Sequence, residues 1–554
     1  MRKQQKVVLV SFYDKTCMGV RVLSAILKEA GHTTYLLILK DDRSATSNEF
    51  KKNTQYFQSV HNLHYVCTGE DVNMPSEEEI DITVRKMQDI QPDVIAFSGR
   101  SVTKDMCKGL VKRLRGVLPG VRYIGGGFGP WIEPMYYLNF LDYVCLGEGD
   151  KAILKLVELE DPDHSENVAI IKNCKLSFNK LAPEVDLDTL PFADWSFENK
   201  YMVEDNKILP LKDCYDTEAH YLFASRGCPS TCTYCQSCQW PSLYSKYDSN
   251  ISKTRLRSPQ NVIDELLFAK KEYNVKSVKF MDSIFGYNKK WFFEFMDLYD
   301  KHINLRFHCL TDARFNDEKV VERMVRSGLT KCVVGIQGTT EHIRKDILGR
   351  NVTNEHIIRF AKVLVKHNMP IRYDIIHWNP YDSNETLAEG ADFLRKLPKG
   401  EHVEIFVLKT YPGSWMTQRI QKENPVPLSD EDFEYWLWIY QLILRSKETE
   451  EIADFAMKYN CFRKNPKILR DLLGEASSNM KTRYRLFASR DIEKGELASI
   501  SKFAKKKSNL ASAIEHEAMY SLAGKVFRKE VKKDQPITVN DIYGSYENKY
   551  GAAV

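Results

Sequence analysis

The segment Arg226-Gly227-Cys228-Pro229-Ser230-Thr231-Cys232-Thr233-Tyr234-Cys235 decides how the rest of the chain is interpreted. Its cysteines have the spacing Cys-x3-Cys-x2-Cys, and the Gly, Pro and small polar residues around them are typical of a loop. Three thiolates on one loop can each bind one iron of a 4Fe–4S cubane and leave the fourth iron open to another ligand. The segment therefore predicts a reactive iron–sulfur cluster held by Cys228, Cys232 and Cys235.

Zinc is the alternative metal for the same thiols. Structural zinc sites usually have two separated cysteine pairs, and no second pair follows at a suitable distance. Cys238 lies three residues after Cys235 and is interpreted as a free thiol, because a filled fourth iron could not bind a further ligand.

The composition bounds the class of protein. The chain has 554 residues, 43% hydrophobic and 28% charged, which excludes a disordered, collagenous or small disulfide-stapled protein and suggests three or four domains. The 80 Lys+Arg and 75 Asp+Glu residues give a net charge of +5, too small an excess for a dedicated nucleic-acid binder. The longest N-terminal apolar run, residues 6–13, is too short for a membrane span or signal peptide, so we expect a cytoplasmic protein with mostly reduced thiols.

Residues 1–155 alternate between two patterns. Apolar runs at residues 7–12, 34–39, 93–98, 121–125 and 142–146 indicate strands, and residues 19–30, about 80–87 and 103–117 have apolar side chains at helical spacing. This alternation predicts an α/β, Rossmann-like domain with a parallel, doubly wound sheet.

Polar or glycine-rich segments follow several of these strands, where ligands bind in such sheets. They are Tyr13-Asp14-Lys15-Thr16, Ser98-Gly99-Arg100-Ser101, Gly125-Gly126-Gly127 and Gly147-Glu148-Gly149. The glycines would let a large flat ligand approach the backbone closely.

The rest of the chain divides into four further regions. Residues 156–215 have the Pro and Asp content of a linker, and residues 216–415 alternate strand and helix signals as in a partial (β/α) barrel. Residues 416–480 are predicted helical, with an aromatic stripe interpreted as core. Residues 481–554 contain two related β units, starting near Phe487 and Val526, which predict a small, mostly β domain.

The cysteine segment resembles the signature of radical S-adenosylmethionine (SAM) enzymes, and Tyr234 before the third cysteine fits that family. The resemblance implies that the open iron binds the amino and carboxylate groups of SAM. It also implies reductive cleavage of SAM to a 5′-deoxyadenosyl radical, with a reductant such as flavodoxin or ferredoxin as partner.

Later segments resemble the strands of the same family. Residues 278–285 look like its second strand, with Asp282 and Ser283 at the carboxyl end, and Gln337 stands where relatives often have a carboxylate that meets SAM. The resemblance therefore implies cofactor contacts for Tyr234, Asp282, Ser283 and Gln337. His377 and Trp378, at a later strand end, could face substrate or be packed in the interior.

The N-terminal domain resembles the cobalamin-binding domain of many radical SAM enzymes. The likeness rests on Gly125, Gly126 and Gly127 and on residues 142–150, and it implies cobalamin contacts there and at Thr16 and Ser98. Asp14 and Gly19 fit the motif Asp-x-His-x-x-Gly, but Thr16 replaces its histidine, so cobalamin would lack an imidazole ligand. A vestigial domain that only supports the barrel is the alternative.

The C-terminal region resembles the SAF, or antifreeze-like, domain that ends sialic-acid synthases. The matching positions are residues 490–496, 522–525 and 536–542. The resemblance implies a homodimer in which this domain reaches over the partner's barrel, and it points to a sugar or sugar acid as the small-molecule substrate. A tail that only dimerises the protein is the alternative.

These patterns together favour a cobalamin-dependent radical SAM methyltransferase acting on an unactivated carbon. A second hypothesis is radical rearrangement, dehydration or epimerisation, with Cys309 or Cys332 returning a hydrogen atom. A third, an iron–sulfur sensor without catalysis, is disfavoured because strand ends typical of SAM binding are also present.

Overall fold

The structure is a computed structural model. It describes residues 4–40, 66–67, 74–158, 165–315, 317–400, 402–408, 410–459, 461–466, 468–469, 472, 484–494, 496, 503–507, 526–527, 529–537 and 542–543. The chain divides into two compact units, Met1–Pro466 and Lys467–Val554.

The first 210 residues build a sheet with helices on both faces. Its elements, with β3 belonging to a second sheet, are β1 (Lys6–Phe12), α1 (Met18–Glu29), β2 (Thr33–Leu39), β3 (Val66–Cys67), α2 (Glu77–Ile90), β4 (Val94–Ser98), α3 (Lys104–Val117), β5 (Arg122–Gly126), α4 (Phe128–Ile132), α5 (Pro134–Leu138), β6 (Tyr143–Cys145), α6 (Ala152–Glu158), β7 (Val168–Lys172), β8 (Lys175–Phe178), β9 (Lys200–Glu204) and β10 (Lys207–Pro210).

The strand order is β10-β9-β2-β1-β4-β5-β6-β7-β8. The strands from β9 to β6 in this order pair in parallel, and β1 lies between β2 and β4. One core cluster packs α1 and α6 against one face of the sheet, and another packs α2 and α3 against the other. The predicted doubly wound sheet is confirmed. The order in which strands are added reverses between β1 and β4, where such sheets have a ligand crevice.

Residues 156–215, predicted as a linker, also contain two β-hairpins. Two hairpins in this region extend the sheet at both edges, β7–β8 next to β6 and β9–β10 next to β2. Each hairpin has a two-residue turn with positive φ at both positions, Asn173-Cys174 (49° and 61°) and Asp205-Asn206 (51° and 56°). Such turns match the twist of antiparallel strands, and Asn and Asp tolerate positive φ.

Residues 219–407 form the second sheet and its helices. The elements are β11 (Ala219–Leu222), β12 (Ser225–Gly227), α7 (Trp240–Ser245), β13 (Thr254–Leu256), α8 (Pro259–Tyr273), β14 (Ser277–Phe280), α9 (Lys289–His302), β15 (Arg306–Thr311), α10 (Glu318–Arg326), β16 (Leu329–Gln337), α11 (Asn354–Lys366), β17 (Ile371–His377), α12 (Asn384–Arg395) and β18 (His402–Val407).

This sheet has the order β11-β14-β15-β16-β17-β18-β3, and every pairing in it is parallel. Strands alternate with helices along the chain, as predicted for a partial barrel. The pairing of β16 with β17 shifts between Gly335 and Gln337, so the carboxyl end of β16 departs from regular strand geometry.

Helices α13 (Trp415–Glu423), α14 (Asp430–Arg445), α15 (Lys447–Lys458) and α16 (Cys461–Lys464) complete the first unit. The aromatic stripe of α14 is core, as interpreted: Phe433, Trp436 and Tyr440 are at most 4% exposed. Tyr440 Oη donates a hydrogen bond to the carbonyl of Leu387 in α12 (2.9 Å), so α14 packs on the helical layer of the barrel.

In the second unit, β19 (Tyr484–Ala488) pairs with β20 (Phe503–Lys507), and β21 (Val526–Phe527) with β22 (Ile542–Tyr543). An antiparallel bridge joins Ile492 to Val531. The described residues of the two predicted β units thus pair with each other. Residues 522–525 and 538–541 of the SAF-like pattern lie outside the described residues.

Among the described residues, no helix combines the length and the apolar character that crossing a membrane requires.

Asp194 ties the segment before β9 to helix α1. Its carboxylate accepts hydrogen bonds from Lys200 Nζ (2.6 Å) and Ser24 Oγ (2.7 Å), and Lys28 Nζ lies at 2.9 Å. Burial alone would raise the pKa of Asp194, but the Lys200 ammonium holds it well below its usual range. The carboxylate is therefore ionised in the folded chain at all but strongly acidic pH.

We expect Asp194→Ala to reduce the free energy of unfolding by about 3 kcal/mol near pH 7, because Lys200, 2% exposed, loses its charge partner. Urea unfolding followed by tryptophan fluorescence measures the loss, with the exposed Asp264→Ala as the control expected to change little. Because the pKa of Asp194 is lowered on folding, its contribution is present above the unfolded value of 3.8 and is lost on acidification. A difference between variant and wild type that persists unchanged toward pH 3 would contradict this assignment.

Candidate functional site

The chain enters the cysteine segment through a short antiparallel hairpin. Strand β12 pairs with β13, and the Cys228 amide donates a hydrogen bond to the carbonyl of Lys253 (3.2 Å). Gly227 has a φ of 88°, and a Cβ there would overlap the Lys253 carbonyl oxygen. Only glycine fits this position, so the backbone turns sharply into the first cysteine.

Asp282, which follows β14, fixes the residues that precede the cysteine segment from the barrel side. Its carboxylate accepts hydrogen bonds from the Ala224 amide (3.1 Å) and the Ser225 hydroxyl and is 2% exposed. Burial raises the pKa of Asp282 to about 6. These contacts give Asp282 a positioning role, and a direct contact with a cofactor stays a prediction.

The segment between β16 and α11 holds the middle of the cysteine segment by hydrogen bonds. The Thr233 amide and hydroxyl donate hydrogen bonds to the carbonyls of Leu348 (3.0 Å) and Ile347 (2.8 Å), and Thr231 Oγ1 donates to the carbonyl of Gly349 (3.1 Å). Gly349 has a φ of 63°. These contacts join residues more than 100 positions apart, and in the sequence only the Gly349-Arg350 pair is a local signal for them.

Two arginines and one aspartate lie beside the thiols. Arg350 contacts Asp312 (2.7 Å) and donates to the carbonyl of Gly335 (2.9 Å), while Arg314 contacts Asp312 (2.9 Å) and the hydroxyl of Ser230. Arg350 is 8% exposed and Asp312 is 1% exposed. The two arginines and the aspartate together carry one net positive charge, which favours ionisation of the neighbouring thiols.

The predicted ligands are poised to ionise. Cys228 and Cys232 are buried and Cys235 is partly buried. A hydrogen bond from Cys238 is the largest cause that lowers the pKa of Cys232 to about 6 and that of Cys235 to about 7, and the pKa of Cys228 is lowered in the same way. Arg350 and Arg314 lower the pKa of Cys232 further. Thiolates bind metal, so these pKa values favour metal binding near neutral pH.

The spacing of the sulfurs distinguishes a cluster from a single ion. In the part of the chain that the structure describes, three His, Cys, Asp or Glu ligand atoms lie mutually within 4.8 Å at one place, Glu318, Glu322 and His367, away from the cysteine segment. Tetrahedral zinc with Zn–S distances of about 2.3 Å requires sulfurs only about 3.8 Å apart. The three thiols are thus spaced more widely than the ligands of one tetrahedral zinc ion, and the cluster assignment stays a prediction.

A cavity of about 460 Å³ adjoins the cysteine segment and the carboxyl ends of the N-terminal strands. Its walls come from the N-terminal sheet on one side, with Asp14, Ser98 and the three glycines, and from the surroundings of the cysteine segment on the other, with Arg226, Ser237 and Trp240. Gly126 borders open space, since a Cβ there would meet only Cys145 at 3.8 Å. Glycine-lined strand ends at a topological switch point fit a large flat ligand such as cobalamin.

Ion pairs connect the two walls of this cavity. Arg226 contacts Asp150 (2.6 Å) and Glu148 (3.1 Å), and Arg255 also contacts Glu148. The Glu148 amide donates a hydrogen bond to the hydroxyl of Tyr244 in α7 (3.0 Å). The turn after β6 therefore binds the residue that leads into the cysteine segment.

The structure places most of the predicted cofactor residues together. Ser98, Gly125, Gly126, Gly127 and Ser283 line the cavity. Thr16 is not among its lining residues; its amide donates to the Asp14 carboxylate (3.1 Å). That cobalamin lacks an imidazole ligand stays a prediction.

Tyr234 and Gln337 lie away from these lining residues. Tyr234 packs against Ile343, Ile347 and Leu348. Gln337 has a φ of 64°, and its amide lies over Gly335 near Arg350, where a Cβ at Gly335 would crowd it. Both therefore belong to the surroundings of the cysteine segment, and their contact with SAM stays a prediction.

His377 is a packed interior residue and does not face substrate. It is 0% exposed, its Nε2 is hydrogen-bonded to the carbonyl of Phe433 (2.7 Å), and burial lowers its pKa to about 4. Trp378 packs beside it and against Phe433. Of the two alternatives raised by the sequence, the interior role is the one observed.

Comparison with known proteins agrees with this geometry. Residues 5–157 match the B12 binding domain family, and residues 222–394 match the radical SAM superfamily. The chain carries a B12-binding domain followed by a radical SAM domain. Domains of these two kinds bind cobalamin and, in the second, a 4Fe–4S cluster with SAM.

Two curated relatives are methyltransferases. An uncharacterized methyltransferase of Pyrococcus horikoshii is 27% identical over 196 residues, 35% of this chain and 40% of that protein. The chain thus spans less than half of that relative. Cytidylyl-2-hydroxyethylphosphonate methyltransferase of Streptomyces wedmorensis is 23% identical over 484 residues, 80% of this chain and 85% of that protein.

A solved structure shows the same fold. The cobalamin-dependent SAM radical enzyme OxsB, with aqua-cobalamin and SAM bound, has a TM-score of 0.58 at 14% identity, covering 86% of this chain and 76% of that one.

We expect Gly126→Leu to reduce cobalamin binding at least several-fold without unfolding the protein, because its side chain would enter the open part of the cavity. Corrinoid absorbance after reconstitution and desalting measures the bound cofactor. Gly116→Leu, on the exposed surface of α3, is the matched control. If Gly126→Leu retained the full amount of corrinoid, cobalamin would not bind in this cavity.

Proposed function

We propose that this enzyme transfers a methyl group from cobalamin to an unactivated carbon of a small polar molecule. One observation carries the proposal: a single cavity is lined both by the strand-end glycines of the B12-binding domain and by Ser237, within the turn that follows the third cysteine. Cobalamin and the radical source would then share one enclosed space. A relative that matches 80% of this chain is a methyltransferase, which supports the same reaction.

The residues around the cavity have separate tasks. Cys228, Cys232 and Cys235 would hold the cluster, and Arg350 and Arg314 would offset its negative charge. When bound, the cluster and SAM supply a 5′-deoxyadenosyl radical, and cobalamin supplies the methyl group. Arg226 and Glu148 connect the two walls by an ion pair (3.1 Å). Trp240, which lines the cavity and packs on Trp131 with ring centroids 4.6 Å apart, would help to exclude water.

The placement of two thiols argues against the hypothesis of radical rearrangement with a hydrogen-donating cysteine. Cys309 and Cys332 are register neighbours on β15 and β16, and they are 0% and 1% exposed. Successive side chains of a strand point to opposite faces, so Cys309 lies on the same face of β15 as Phe307 and on the opposite face from His308. Phe307 packs on Tyr299 of α9, so this face is the one covered by helices. Both thiols therefore face the helical layer, where they cannot reach a substrate inside the barrel.

The inner face of the barrel supports a polar substrate, and a sugar or sugar acid stays our proposal. Lys279, Arg372 and Glu404, on β14, β17 and β18, are 32%, 22% and 12% exposed at their side chains. In each strand they alternate with residues that pack under the helices, so their side chains face the inside of the barrel. Ammonium, guanidinium and carboxylate groups at this face can hydrogen-bond hydroxyl and carboxylate groups.

We expect anaerobically reconstituted Cys232→Ala to lose reductive cleavage of SAM, because two thiolates cannot hold the cluster in an active form. Formation of 5′-deoxyadenosine with dithionite or reduced flavodoxin as the electron donor is the measurement. Cys461→Ala, an exposed thiol on α16, should behave as wild type. Normal 5′-deoxyadenosine formation by Cys232→Ala would refute the ligand assignment, and substrate-dependent transfer of a labelled methyl group from SAM tests the reaction itself.

We also propose that the C-terminal unit contributes to substrate binding as part of a homodimer. The paired β units at Ile492 and Val531 and the likeness to SAF domains support this role. Removing residues from Lys467 onward should preserve the cluster and uncoupled SAM cleavage but lower methyl transfer, because every proposed cluster ligand lies in the first unit. Methyl transfer by the folded, truncated protein at the full-length rate would show that this unit is not part of the site.

A further inference from the structure

Two arginines share one carboxylate beside the cysteine segment. Asp312, the residue after β15, contacts the guanidinium groups of Arg350 (2.7 Å) and Arg314 (2.9 Å). These guanidinium groups also donate to two neutral acceptors, the carbonyl of Gly335 and the hydroxyl of Ser230. In the part of the chain that the structure describes, no second carboxylate forms an ion pair with either arginine. Within that part, the two positive charges are therefore only half neutralised.

Low exposure makes this charge effective. Asp312 is 1% exposed and Arg350 is 8% exposed, and the side chain of Arg314 is 15% exposed. Burial alone would raise the pKa of Asp312, but Arg350 and Arg314 hold it below its usual value. The carboxylate is thus ionised, and the group carries two positive charges and one negative charge. Charges at low exposure interact more strongly than charges in water, because the surrounding medium screens them less.

Both arginines are tied to the cysteine segment by contacts that do not involve sulfur. Arg314 donates to the hydroxyl of Ser230, which lies between the first two proposed ligands in the sequence. Arg350 directly follows Gly349, whose carbonyl accepts a hydrogen bond from Thr231 Oγ1 (3.1 Å). A Cβ at Gly349 would lie 2.6 Å from the carbonyl oxygen of Thr231, so the two backbones are in close contact. The charged group is therefore held beside the segment by contacts that are independent of the thiols.

We propose that this charged group sets the reduction potential of the cluster, which Arg350 and Arg314 raise and Asp312 lowers. The inference rests on the cluster ligands proposed above. Reduction by an external one-electron donor adds one negative charge to the cluster, and no bond forms or breaks in this step. Positive charge nearby favours the reduced form, and net charge is one of the features that set the potentials of iron–sulfur clusters. The three residues act through their charge and contact no substrate in this role.

The sign of each residue's effect follows from its charge. Arg350→Gln or Arg314→Gln lowers the net charge of the group from one positive charge to zero, which disfavours the reduced cluster. Asp312→Asn raises the net charge to two positive charges, which favours the reduced cluster. The double variant Arg350→Gln/Asp312→Asn has the same net charge as the wild type. A merely structural role would not produce shifts of opposite sign that cancel in the double variant.

The test uses the full-length, anaerobically reconstituted protein without added SAM. EPR measures the reduced cluster during a dithionite titration with redox mediators, after iron and sulfide analysis of each variant. At a fixed potential near the wild-type midpoint, the ratio of reduced to oxidised cluster should fall several-fold in Arg350→Gln and Arg314→Gln and rise several-fold in Asp312→Asn. The double variant should lie close to wild type. Lys362→Gln, which removes the same charge from the exposed surface of α11, should leave the ratio unchanged.

Other outcomes overturn the proposal. They are shifts of the same sign in Arg350→Gln and Asp312→Asn, or unchanged ratios in all variants with intact clusters. If Arg350→Gln assembles no cluster, Arg314→Gln and Asp312→Asn give the same comparison, and shifts that are not opposite in sign contradict the proposal. A Cys232→Ala variant that keeps a normal cluster would instead refute the proposed ligands, so the two failures are distinguishable.

Discussion

The ion pairs of Glu148 and Asp150 with Arg226 and Arg255 are the constraint on which the rest of the site depends. Partly buried charges are costly unless they are paired, so each carboxylate requires its arginine and each arginine its carboxylate. The pairs join the last glycine-rich turn of the B12-binding domain to the start of the cysteine segment. The position of the cavity between the two domains follows from this connection.

The cysteine segment has little regular structure of its own and takes its shape from its neighbours. Asp282 fixes its start, the Ile347 to Gly349 carbonyls fix Thr231 and Thr233, and the amide of Met416 donates to the carbonyl of Thr233 (3.0 Å). These contacts come from three separate parts of the chain. A loop held at several points keeps its thiols apart before any metal binds, which lowers the conformational cost of assembling a cluster.

The charges around these thiols then favour the thiolate form, which binds metal. Arg350 and Arg314 share one aspartate, so the group keeps a positive charge beside Cys232 at low exposure, where a charge acts more strongly than in water. The barrel strands separate this region from Cys309 and Cys332, whose burial raises their pKa values and leaves them as unreactive thiols. Cysteines of one domain thus differ: those in the cysteine segment are reactive, and Cys309 and Cys332 are inert.

The sequence by itself determined the elements whose signals are local. The apolar periodicity of residues 7–146 predicts β1, β2, β4, β5, β6, α1, α2 and α3 to within a few residues, but not α4 and α5. The Cys-x3-Cys-x2-Cys spacing identifies the thiols, because both patterns reflect contacts between near neighbours. Asn173-Cys174 and Asp205-Asn206 were weaker local signals for the two hairpins that the linker interpretation missed. Only the tertiary structure decided the roles of Arg350 and His377, because these depend on partners brought together by strand pairing and helix packing. Spacing along a chain carries no record of such contacts, since each is fixed by the packing of residues distant in sequence.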